Sequence, residues 1–88
     1  MLKRHEDALM HRIDALTIVG WTEIRWWELR QWYGMERITK KIYRDLRDRF
    51  HEENEGELNI YYGHDALLLI NNDQFSTMTK HLEEGSED

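Results

Sequence analysis

The chain has 88 residues, a net charge of −6, 40% hydrophobic residues, no proline and no cysteine. That length suits one small domain. The absence of cysteine excludes a disulfide scaffold, a thiolate metal site and a Cys nucleophile. No apolar run reaches the length of a membrane span, and the charged start Met1-Leu2-Lys3-Arg4-His5-Glu6-Asp7 lacks the apolar stretch of a secretory signal, so a cytoplasmic protein with no membrane association is expected.

Residues 4–19 read as a helix, with Leu9, Ile13 and Leu16 spaced four and three apart and Gly20 placed to end it. Thr22 then reads as the N-cap of a second helix over Glu23–Tyr33, with Trp21 stapled to Trp26 and Gly34 as the stop. The aromatic content of 21–33 also suits a partly extended segment. From Met35, Ile38, Ile42, Leu46 and Phe50 recur every four positions, the stripe of a third helix. Leu58, Ile60 and Tyr62 then alternate with polar or edge positions, and Ala66-Leu67-Leu68-Leu69-Ile70 is continuously apolar. With Gly63-His64 as a two-residue turn, this predicts a hairpin pairing Ile60 with Leu67 and Leu58 with Leu69. Asn71-Asn72-Asp73 supplies a turn, and Phe75, Met78 and Leu82 mark a short terminal helix. The domain is expected over 1–82, followed by a frayed acidic end over 83–88.

Charge is distributed unevenly. Residues 25–51 hold eight basic and four acidic groups, whereas 52–88 hold one lysine and ten acids. On the third helix Arg37, Lys40, Arg44 and Arg47 fall opposite the apolar stripe. Such a face suits phosphate contacts and base reading in a DNA groove. The same helix also offers three i,i+4 pairs, Glu36–Lys40, Lys41–Asp45 and Arg44–Asp48. Those pairs would stabilise it without any ligand and neutralise part of the stripe.

Four tryptophans, Trp21, Trp26, Trp27 and Trp32, fall within twelve residues and spread around most of one helix. Tryptophan is enriched at interaction hot spots, so they are candidates for a protein interface such as a homodimer. The five histidines lack metal-site spacing, no cofactor motif is present, and no nucleophile sits in a catalytic pattern, so neither metal, cofactor nor enzyme activity is expected.

Ile42-Tyr43-Arg44-Asp45-Leu46-Arg47, followed by Gly56-Glu57-Leu58 and the hairpin, resembles the recognition helix and wing of the winged helix-turn-helix family over about residues 23–71. The resemblance implies an α+β domain of three helices, a β-hairpin and a short C-terminal helix. It further implies binding of double-stranded DNA in transcription or replication control, through Arg37, Lys40, Arg44 and Arg47, with His64 at the tip of the wing. The rival expectation is a protein-binding adaptor or inhibitor, of phage or mobile-element type, that works through the Trp-rich helix and the acidic C-terminal third.

Overall fold

The computed structural model describes residues 1–75. The expected terminal helix through Met78 and Leu82, and the acidic end 83–88, lie outside the described residues. The described elements are helix α1 (Lys3–Ile18), strand β1 (Trp21–Arg25), helix α2 (Trp26–Tyr33), helix α3 (Lys40–His51), and strands β2 (Leu58–Tyr62) and β3 (Ala66–Asn71). They form an α+β domain with one antiparallel sheet in the order β1-β3-β2. A short 3-10 turn over Asn72–Gln74 follows, its start capped by the Asn71 side chain, which accepts from the Asp73 N–H. Phe75 after it is extended.

The first helix forms as its stripe predicts, burying Leu9, Ile13 and Leu16. Its end is closed by N–H groups of Val19 and Gly20 on the Ala15 carbonyl, with Gly20 at φ +100°. A side chain at Gly20 would also collide with Gln74, so glycine is required there twice over.

The principal correction concerns residues 21–25. They are strand β1, and Thr22 does not cap a helix. Thr22 and Ile24 point inward and are buried, paired with Leu69 and Leu67, while Trp21, Glu23 and Arg25 point outward. Period-two alternation against the free edge of β3 buries both inward residues and satisfies the backbone, which a first helical turn in the same place would not do. Helix α2 accordingly starts at Trp26, where the Glu28 carboxylate accepts the Arg25 N–H at 3.0 Å. Gly34, at φ +65°, ends it.

The third helix starts at Lys40, five residues later than Met35, where the stripe begins, so Arg37 and Ile38 belong to the link between α2 and α3. Ile38 still packs against the core. Ile42, Leu46 and Phe50 are buried as the stripe predicts. The hairpin forms with its pairing displaced by two residues: Ile60 pairs with Leu69 and Leu58 with Asn71. The turn residues are His64 and Asp65, and the Gly63 N–H donates to the Ala66 carbonyl at 2.7 Å. A Cβ on Gly63 would lie 2.8 Å from that carbonyl oxygen, so glycine is needed at the flank of the turn. A shift of two preserves strand faces, so the aliphatics expected inside remain inside.

The core lies between the inner sheet face and the three helices, built from residues of every element. Arg12 joins three of them. Its guanidinium grips Glu28 at 2.8 and 3.2 Å, donates to the Glu23 carbonyl at 2.6 Å, and lies over the Trp32 ring. Asn71, also buried, donates to the Leu16 carbonyl at 2.9 Å and holds the end of β3 against α1.

Candidate nucleic-acid interface

Helix α3 packs by one face and presents the other to solvent. Lys40, Arg44, Arg47 and His51, at spacings of four, three and four, make one exposed row opposite Ile42, Leu46 and Phe50. None of Lys40, Lys41, Arg44 and Arg47 is ion-paired among the described residues. The three i,i+4 pairs that the sequence offers on this helix do not form.

Asp45 shows why. It accepts the Tyr33 hydroxyl at 2.5 Å and the Arg49 Nε at 2.8 Å, so the acid nearest Lys41 is engaged on the other side of the helix. Arg49 is in turn held by Glu6 at 3.4 Å and by the Met10 sulfur at 3.2 Å. Burial, reinforced by the Asp45 hydrogen bond and charge, pushes the Tyr33 phenol pKa far above its ordinary value of 10.0, so the phenol stays a donor. Lys41 is thus left unpaired by contacts made at the flank of the helix, and Asp48, exposed beside Arg44 and Arg47, forms no ion pair among the described residues.

An aromatic column connects α3 to the β2–β3 hairpin. Tyr62 stacks on Trp26 with centroids 6.0 Å apart and meets Tyr43 edge-on at 5.9 Å. Trp26 is anchored to the hairpin through its indole N–H on the Gly63 carbonyl and its backbone N–H on the Asp65 carbonyl, both at 3.2 Å. These contacts tie the hairpin tip to the start of α2. His64 stands there almost fully exposed, its Nε2 4.0 Å from the Asp65 carboxylate.

The predicted site residues fall into two groups. Lys40, Arg44 and Arg47 share the α3 row. Arg37, expected on that helix, instead lines an open concavity with Arg30, Glu36, Ile38, Trp26 and His64. Arg30 was missed by sequence reasoning, although its spacing of four from Trp26 places both on one side of α2. Arg47 and His51 reach a second groove beside the edge strand β2, with Glu55 and Glu57 across it.

The tryptophans do not form one surface. Trp32 is buried in the core, Trp26 is half-buried in the aromatic column, Trp21 is on the outer sheet face and 48% exposed, and Trp27 is 60% exposed on α2. Among the described residues no cluster of His, Asp or Glu is arranged to hold a metal ion, and no helix is long and apolar enough to cross a membrane.

Comparisons with known protein families, with curated proteins and with solved structures give no match to this chain.

Proposed function

We propose that the protein is a non-enzymatic binder of double-stranded DNA, acting in the cytoplasm in the control of transcription or replication. The observation that carries this reading is the exposed row Lys40, Arg44 and Arg47, none of them ion-paired among the described residues. Three cations along one helix face suit phosphate contacts, and arginine can read guanine edges. The placement of a solvent-facing third helix before a two-stranded wing supports the winged helix-turn-helix resemblance. The wing loop itself carries no lysine or arginine, but Arg30 and Arg37 flank its tip and supply positive charge there.

The test is binding to a labelled random-sequence duplex across a salt series. If Lys40, Arg44 and Arg47 each neutralise one phosphate, log K should fall by roughly 3 per decade of salt. Absence of binding at low salt would overturn the reading. It would favour the adaptor, for which the specific observation is the exposed Trp27 ring.

A further inference from the structure

The outer face of the sheet, turned away from the core, carries an apolar patch. Rows across the strands place Trp21 beside Ile70 and Asn59, and Glu23 beside Leu68 and Tyr61. Trp21 is 48% and Tyr61 52% exposed, with Leu68 and Ile70 half-buried between them. A contiguous apolar patch with a polar border is the ordinary mark of an interaction surface. The basic α3 row lies on the other side of the domain, so this face is independent of the DNA reading.

From its charge pattern we infer that this face binds a second copy of the same chain. Glu23 and Arg25 stand two residues apart on the outer side of β1, and neither is ion-paired among the described residues. A two-fold axis lying in the face and crossing the strands near Ile24 lays β1 antiparallel over its copy. Glu23 of one copy then meets Arg25 of the other, and the reverse contact follows by symmetry. The same operation sets Leu68 of one copy over the Ala66 position of the other. An acid and a base placed symmetrically about a two-fold axis are self-complementary. They fit a second copy better than a partner of uniform charge.

The patch is three strands wide, and strands lie about 4.8 Å apart and rise roughly 3.4 Å per residue. That face is smaller than the roughly 800 Å² per partner of a standard interface, so a dimer forming in the micromolar range is expected.

The test is sedimentation equilibrium of the full chain over a concentration series reaching the high micromolar range. The parent should show a monomer–dimer equilibrium. Glu23→Arg alone and Arg25→Glu alone should each weaken self-association by at least about fivefold, because each sets like charges across the axis. A mixture of these two variants should associate as a heterodimer, and the double change Glu23→Arg with Arg25→Glu should restore the homodimer. Both positions are exposed, and matching thermal melts would confirm that folding is intact. Arg44→Glu with Arg47→Glu should leave association unchanged. A parent that stays monomeric throughout would overturn the proposal. So would association insensitive to both single changes, or association that arises only after residues 76–88 are removed, which would mean that the chain's own end covers the face.

Discussion

Tyr33 donates its hydroxyl hydrogen to Asp45 at 2.5 Å, joining the last residue of α2 to the middle of α3. The contact does two things. It sets α3 against α2 across a link of six residues, and it withdraws a carboxylate from the side of α3 that carries the free cations. The unpaired state of Lys41 thus depends on a hydrogen bond formed at the flank of α3.

The bond has a pH signature. The Tyr33 phenol pKa is raised in the folded chain, by burial first and by Asp45 second, above an ordinary value of 10.0. Tyr43 is raised as well, by burial and by Tyr62. A raised folded-state value means that the stabilisation is complete below the unfolded pKa and declines as pH climbs from there toward the folded value. Melting temperature should therefore hold steady from neutral pH to about 9 and fall above about 10. Tyr33→Phe should melt lower than the parent at neutral pH, by about 1 kcal/mol of stability, and should lose less on alkaline transfer. Equal alkaline loss in parent and variant would place the titrating group elsewhere.

Arg12 supports the fold in a comparable way. Its side chain is one-third exposed, yet it spans α1, the β1 backbone and the start of α2. Arg12→Ala should destabilise by about 1–3 kcal/mol, since Glu28 loses a bidentate partner and Trp32 loses its cover. Arg12→Lys should recover only part of this, because an ammonium cannot grip both carboxylate oxygens in the same plane. Urea titration of the three proteins measures both effects, and a lysine variant equal to the parent would show that charge alone suffices.

Large-to-small changes beneath the basic row should be more severe. Leu46 is fully buried, so Leu46→Ala should cost about 2–5 kcal/mol. For a domain of this size that loss is comparable to the whole stability. A thermal melt with little change would mean that the helix can shift to fill the gap.

Much of this arrangement is legible in the sequence, and the exceptions share one cause. Leu9, Ile13 and Leu16, and again Ile42, Leu46 and Phe50, announce their helices because a local period of 3.6 fixes which face is buried. Residues 21–25 could not be read locally. Thr22 before an acidic and aromatic run satisfies the rules for a helix start, and the same residues satisfy the rules for a strand. The choice is made by β3, whose Leu67 and Leu69 arrive more than forty positions later. The hairpin register was off by two because Gly63 reads as a turn residue, while the structure uses it as the close-approach flank of His64 and Asp65. The ion pairs of α3 were misread for a similar reason. Lys41 and Arg49 both lie four residues from Asp45, and Tyr33, Glu6 and Met10, from two other helices, decide for Arg49. Arg12–Glu28, its members sixteen positions apart, left no local signal at all.

The α3 row gives the sharpest test of function. Arg44 and Arg47 are exposed and unpaired among the described residues, so Arg44→Glu with Arg47→Glu should change stability by no more than about 0.5 kcal/mol. Affinity for non-specific duplex DNA should nevertheless fall steeply, and the salt slope should shrink by about 2, roughly one unit for each lost phosphate contact. Arg37→Ala separates the helix from the concavity beside the hairpin tip. Arg37 lies in the link beside Arg30 and His64, so its loss should lower affinity by about one phosphate contact and leave the contribution of α3 intact. Full DNA affinity in a folded double variant would move the binding surface off α3 and toward the concavity. Full affinity in the Arg37 variant, with loss in the double variant, would confine the contacts to the helix.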